Sequence, residues 1–271
     1  MSFIELVLRY PSKVIAMARL GATLKDRLMI IILHLWFTVL WRLGHSPSLR
    51  EPRRIKIRVF QSIVCIGVKH AIDLAVYREI FVDEHYALAL HFEPRVIFDL
   101  GSNIGASVLY FALRFPSAQI YAFEPDPENI EMFKLNLGQC NFMDRVTLIE
   151  KAVWRSDDET LLLYQISDQH YSSSVVERSE ATRSIKVAST TIDHVMESHN
   201  IHTIDLLKFD IEGAEGIVFA AFSNIAHVRF LVGEVHPDIT GLTVESFIAG
   251  LNGFRLVWSM DNRVLLENVQ W

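Results

Sequence analysis

The chain has 271 residues, 51% of them hydrophobic and 21% charged, with a net charge of −6. This composition supports a sizeable core and excludes wholesale disorder, and the low glycine (12) and proline (8) counts exclude collagen-like and low-complexity chains. Two cysteines, Cys65 and Cys140, cannot build a disulfide framework or a four-thiolate zinc site and fit a reducing, cytoplasmic compartment, while the acidic balance argues against nucleic acid as a partner.

The charge is unevenly spread. Residues 1–58 carry eleven Lys/Arg against three Asp/Glu, whereas residues 59–271 carry fifteen against twenty-nine. The sequence therefore reads as a basic, apolar, helical N-terminal region over 1–58 followed by an acidic globular domain over 59–271. Phe3–Leu8 and Val14–Leu20 are short apolar pieces separated at Pro11. Leu28–Trp41 is an almost unbroken apolar run, bracketed by Lys25, Asp26 and Arg27 on one side and Arg42 on the other. Fourteen helical residues reach about 21 Å, short of the ~30 Å hydrocarbon core, so a simple spanning helix is not expected. A signal peptide is not expected either, because the preceding basic stretch is too long and no small-residue cleavage site follows. Two readings stay open at similar weight. One is peripheral attachment to an anionic membrane surface on its cytoplasmic face, with Trp36, Phe37 and Trp41 beside basic residues. The other is a helical cap on the body or on a second subunit of a homo-oligomer. Arg42–Arg58, with Gly44, Pro47 and Pro52, reads as a linker running into a strand near Ile55–Phe60.

From residue 95 short β-rich runs alternate with helical patterns. Strands are expected at Val96–Leu100, Ile120–Phe123, Val146–Glu150, Leu161–Gln165, Ile185–Ser189, Ile204–Phe209 and Phe230–Val235. Helices are expected at Ile104–Phe115, Pro127–Leu137, Thr191–Ser198, Ala214–Phe222 and Val244–Leu251. Phe254–Ser259 and Val264–Glu267 read as a terminal antiparallel hairpin with Asp261-Asn262 at its turn. Apolar strands alternating with helices argue for an α/β, Rossmann-like, mostly parallel sheet with helices on both faces.

The first of these strands ends in Asp99-Leu100-Gly101-Ser102-Asn103-Ile104-Gly105 and runs directly into a helix. Glycines at such a turn let the backbone bend sharply and approach a ligand. A dinucleotide fingerprint needs Gly at 103 and 106 as well, where Asn103 and Ala106 stand. A carboxylate at Asp99 suits a cationic amino-acid ligand such as S-adenosylmethionine better than a pyrophosphate. Glu124 follows the next strand, where a carboxylate can accept hydrogen bonds from both ribose hydroxyls. Glu150-Lys151-Ala152 then closes the third strand, where an adenine edge lies in such a fold. The bland alternatives are an ordinary strand–helix turn, a surface acid at Glu124 and a plain helix cap at Asp126. The joint occurrence of Asp99, Gly101, Gly105 and Glu124 favours the ligand reading.

Asp99–Gly105, Phe123-Glu124-Pro125 and Leu207–Glu215 resemble the motifs of FkbM-type methyltransferases; Thr190–Asp193 and Glu234 fit as well. Asp73, Phe81 and Tyr86 resemble the segment ahead of the first strand, so the resemblance covers about residues 72–271. It implies a class I, S-adenosylmethionine-dependent fold that methylates hydroxyls on sugars or other natural products, with Ser102 in place of a more usual alanine. The expected cofactor contacts are Asp99, Gly101, Ser102, Asn103, Gly105, Glu124, Lys151, Ala152 and Asp210.

Methyl transfer to an alcohol requires in-line approach and removal of a proton. Lys208, Asp210, Glu212 and Glu215 sit at the carboxyl end of the fourth parallel strand, and Glu234 and His236 leave the neighbouring strand at the same rim. Asp210 is expected near the sulfonium, with Glu212, Glu234 or His236 as base or acceptor anchor. Lys208 is expected to pair with a carboxylate, because a central-strand lysine is costly to bury alone. Each of these could equally be an ion pair or a helix cap. The same cluster of Asp, Glu and His could hold a divalent metal, but no metal is expected, since no compact ligand motif is present. The polar stretch Ser167–Ser184, including Asp168, His170, Tyr171 and Ser172–Ser174, is either a substrate cover or an ordinary solvated loop. The acceptor is a small molecule or glycan. A nicotinamide-dependent oxidoreductase and a non-catalytic nucleotide-binding module are the competing readings.

Overall fold

The computed structural model describes residues 12–45, 48–138, 140–166, 169–179 and 181–271. The apolar piece Phe3–Leu8, Pro11, Pro47, Ser167 and Asp168 fall outside them, as do the side chains of His170 and Tyr171. The chain forms two compact units, the first from the chain up to Ala89 with Ile104–Arg114 and Met132–Asn141, the second from Leu90–Asn103, Phe115–Glu131 and Phe142–Trp271.

The first unit opens with helix α1 (residues 12–19) and α2 (Leu24–Arg42). Thr23 caps α2 by accepting from the Asp26 N–H while the Asp26 carboxylate accepts from the Thr23 N–H, so two orphan donors are satisfied reciprocally. Asp26 also accepts from the Lys56 N–H at 3.1 Å, tying the start of α2 to strand β1 (Ser48–Val59). Ile30, Leu33 and Phe37 form the buried stripe of α2 at helical spacing. In β1, buried Ile55, Ile57 and Val59 alternate with exposed Arg54, Lys56 and Arg58. β1 pairs antiparallel with β2 (Ser62–His70), and this pairing runs across the expected 58/59 division because Val59 and Ser62 flank the connecting turn. The stretch expected as a linker is therefore mostly strand from Ser48 onward. Pro52 is accommodated in the irregularity between Ser48 and Arg53, where no ladder N–H is required of it. Helix α3 (Ala71–Phe81) follows; its buried Asp73 accepts from the Lys69 and His70 N–H groups, and Tyr77 donates to the Gly67 carbonyl.

The second unit holds a seven-stranded sheet. Its strands are β3 (Val96–Leu100), β4 (Gln119–Phe123), β5 (Val146–Ile149), β10 (Ile204–Phe209), β11 (Val228–Glu234), β12 (Phe254–Met260) and β13 (Arg263–Asn268). The spatial order is β12-β13-β11-β10-β3-β4-β5. β5, β4, β3, β10 and β11 pair in parallel, and β13 inserts antiparallel between β11 and β12. This is the class I methyltransferase arrangement expected from the sequence, including its terminal hairpin. The helices α4 (Ala106–Arg114) and α5 (Pro127–Leu137) follow β3 and β4. Helices α6 (Ile192–Ser198), α7 (Glu215–Ala221) and α9 (Val244–Gly250) share one hydrophobic core with the sheet, and Phe209, Phe219 and Phe247 meet there with ring centroids 5.1–5.2 Å apart. A second sheet, in the order β6-β9-β7-β8, contains β6 (Ala152–Val153), β7 (Thr160–Ile166), β8 (Gln169–Ser174) and β9 (Arg183–Thr190). β8 thus lies inside the stretch read as a loop. The large sheet reverses its strand order between β3 and β10, so their carboxyl ends form the crevice in which open α/β sheets bind ligands.

Candidate active site

The floor of the crevice is the turn after β3. Gly101 adopts φ +77°, and a Cβ there would lie 2.0 Å from the Asp210 carbonyl oxygen, so only glycine lets the two strand ends approach this closely. Asn103 also sits in the left-handed region, at φ 50°. The Gly101 and Ser102 N–H groups donate to the Phe123 carbonyl, as does the Ser102 hydroxyl. Beneath the turn, the parallel register of β3 and β10 sets Lys208 opposite Asp99. The Lys208 Nζ lies 3.0 Å from Asp99 Oδ1 and donates to the Gly101 carbonyl at 2.6 Å and the Leu100 carbonyl at 3.3 Å. The Asp99 side chain has no exposed surface and that of Lys208 only 3%. This buried ion pair, its ammonium also held by two carbonyls of the turn, holds the glycine turn in place.

Glu124 stands at the end of β4. Its carboxylate accepts from the Asn103 N–H at 2.8 Å, the Asp126 N–H at 2.9 Å and Asn129 Nδ2 at 3.3 Å. Burial pushes its pKa up to about 7, against the opposing pull of these donors. Asp126 does more than cap α5 through the Glu128 N–H. Its other oxygen accepts from Gln165 Nε2 and the Ser173 hydroxyl, which joins the helix start to the second sheet.

The rim carries a cluster of opposite character. His236 Nδ1 lies 2.9 Å from Glu215 Oε1, while its Nε2 is 3.6 Å from Asp210 Oδ1 and 3.7 Å from Glu212 Oε2. Burial alone would depress the imidazole pKa, but the Glu215 hydrogen bond and the charges of Asp210, Glu212 and Glu215 overcome it and raise it to about 10. Glu212 is raised to about 7 by burial and by repulsion from Asp210, partly offset by His236 and Arg178. Arg178 Nη1 reaches to 3.6 Å from Glu212 Oε2, and the Ser174 hydroxyl donates to the Glu212 carbonyl. Glu212 itself holds φ 51°, a strained backbone that presents the side chain inward.

Of the residues singled out in the sequence, Gly101, Asn103, Glu124, Lys151, Ala152, Asp210 and Glu212 line one cleft. Asp99, Lys208 and Ser102 lie behind its wall. Gly105, at φ +83°, belongs to the first unit, where a Cβ would press on Phe133 and Leu137. His236 joins the rim through Asp210 and Glu212, whereas Glu234 ends β11 opposite Arg263. The Lys151 Nζ pairs with Asp158 at 2.7 Å. Ser173 and Ser174, expected as part of a substrate cover or a solvated loop, hold Asp126 and the Glu212 carbonyl. Arg178 and Asn129 escaped the sequence reading; only the polarity of the 167–184 stretch hinted at the first, and Asn129 carries no local signal. Ligand atoms of Asp210, Glu212 and His236 come within 4.8 Å of one another, close enough to share a cation; two segments supply them, Asp210 and Glu212 after β10 and His236 after β11, so only the first two are neighbours in the sequence.

Residues 99–255, more than half of the chain, match the methyltransferase FkbM domain. The chain belongs to the FkbM methyltransferase family. It is 27% identical over 158 residues to Methyltransferase 1 of Beauveria bassiana, covering 52% of this chain and 63% of that protein. It is also 27% identical to the 31-O-demethyl-FK506 methyltransferase FkbM of Streptomyces tacrolimicus, over 69% of this chain and 83% of the relative. The 2-O-methyltransferase NoeI of Sinorhizobium fredii is 27% identical over 65% of this chain and 80% of its own length. The chain thus spans under two thirds of the Beauveria protein and about four fifths of the other two.

Proposed function

We propose that this FkbM-family chain is an S-adenosylmethionine-dependent O-methyltransferase that acts on a hydroxyl of a sugar, glycan or other natural product. The observation that carries the reading is one cleft holding the Gly101 turn, the Glu124 carboxylate and the Asp210–Glu212–His236 rim. The residues fit the cofactor: Gly101 lines the cleft with bare backbone, and Glu124 presents a carboxylate at the second strand end, where ribose hydroxyls can donate to it. When bound, S-adenosylmethionine supplies an electrophilic methyl group on a sulfonium. Gly101 and Asn103 hold the backbone close to it, Ala152 and Val153 bound the far side of the cleft, and Asp210 offers negative charge toward the sulfonium. Glu212 lines the cleft with a pKa near 7, so it takes the proton of the acceptor hydroxyl. His236 stays protonated at neutral pH and balances the surrounding carboxylates.

Glu212→Gln is expected to lower kcat at least about a hundredfold on a hydroxyl acceptor while leaving S-adenosylmethionine affinity within about threefold. Absence of S-adenosylmethionine binding to the unaltered protein overturns the cofactor assignment. Near-normal kcat in Glu212→Gln overturns the base assignment.

A further inference from the structure

Helix α2 is apolar on two sides. Ile30, Leu33 and Phe37 fill the buried stripe. On the other side Leu28, Ile32, Leu35, Trp36, Val39 and Leu43 are each 50–66% exposed. Their spacing of three and four residues puts them on one face about a third of the helix circumference wide. A soluble surface helix carries charged or polar residues there. This face carries none between Leu28 and Trp41; its basic residues, Lys25, Arg27 and Arg42, stand at the two ends. Asp26, the acid at the helix start, is already engaged by the Thr23 and Lys56 N–H groups. Arg54, Lys56 and Arg58 are exposed on the strand to which that end is tied.

From this pattern we infer that α2 docks the protein on the surface of an anionic bilayer, its exposed apolar face entering the acyl boundary and its basic ends meeting acidic headgroups. Among the described residues no helix is long and apolar enough to cross a membrane, so the helix lies in the plane of the interface. Trp36, on that face, suits that depth, because an amphipathic indole favours the headgroup level. Charge decides between this occupant and a second copy of the chain. A symmetric dimer through the same face brings one set of Lys25, Arg27 and Arg42 against another, whereas acidic lipid complements them.

The test is co-sedimentation of the full chain with phosphatidylcholine vesicles containing or lacking phosphatidylglycerol, at low and high salt. The unaltered protein is expected to pellet with the anionic vesicles at least about tenfold better than with the neutral ones, with part of the binding surviving high salt. The triple variant Leu28→Ser/Ile32→Ser/Leu35→Ser is expected to lose the salt-resistant part. Lys25→Glu/Arg42→Glu, which alters exposed positions only, is expected to lose the preference for anionic lipid. Failure of the unaltered protein to pellet with either vesicle overturns the proposal, as does unchanged binding of both variants. A stable dimer in lipid-free buffer that the triple variant converts to monomer, without vesicle binding, overturns it in favour of a second copy.

Discussion

Two charged groups stand within a few residues of each other at the carboxyl end of the sheet, and they behave in opposite ways. Asp99 and Lys208 are one acid and one base, fully enclosed, with the ammonium also held by the Leu100 and Gly101 carbonyls. At the rim, Asp210, Glu212 and Glu215 surround a single imidazole, and the Asp210 side chain is 36% exposed. The first group is balanced and positions backbone. The second has more negative than positive charge, so the Glu212 carboxyl and the His236 imidazole are both raised in pKa. Residue type alone does not separate a structural charge from a chemical one; local neutrality and access do.

The largest expected effect breaks the balanced pair. Lys208→Met leaves Asp99 buried without its cation and should cost about 3–5 kcal/mol of stability by urea denaturation. The double variant Asp99→Leu/Lys208→Met should recover part of that loss. A single variant as stable as the unaltered protein would make the floor resemble the rim.

An intermediate effect concerns pH. The folded-state pKa of His236 lies above its ordinary value, about 10 against 6.5, so its contribution to stability is complete below about pH 6.5 and is lost as pH rises through 10. The melting temperature of the unaltered protein should therefore fall more steeply than that of His236→Gln between pH 6.5 and 10. Parallel curves would show that the carboxylates do not hold the imidazole charged.

The smallest effect sharpens the picture of how the rim is supported. Ser174 donates to the Glu212 carbonyl and accepts from the Val176 N–H. Ser174→Ala should cost about 1 kcal/mol in thermal or urea unfolding, with S-adenosylmethionine affinity little changed. A loss several times larger would place the 173–178 segment among the elements that hold the floor.

Much of the fold was legible because its elements carry local periodic signals. Val96–Leu100, Ile204–Phe209 and Pro127–Leu137 occur with the expected bounds, since short apolar runs and a proline-started helix are local features. β2 and α8 (Pro237–Thr240) were not legible. β2 buries Val64, Ile66, Gly67 and Val68 with little polar alternation, and α8 is a single turn. β8 is a polar strand held by pairing with β7 rather than by its own pattern.

What the sequence determined by itself is the order of strands and helices, the glycine turn at 101–105 and a carboxylate at the end of each of the first two parallel strands. Each of these is written in neighbouring residues. What the tertiary structure alone decided is the partner of every charge. Register between β3 and β10 gives Lys208 to Asp99, so it becomes a support for the turn. The end of β11 gives His236 to Glu215 and the rim, while Glu234, two residues earlier, stands in backbone register with Arg263 of β13. The segment after β8 brings Arg178 to Glu212. Electrostatic partnership depends on distance in space and on shared burial, and residues far apart along the chain acquire both only when the sheet closes their separation.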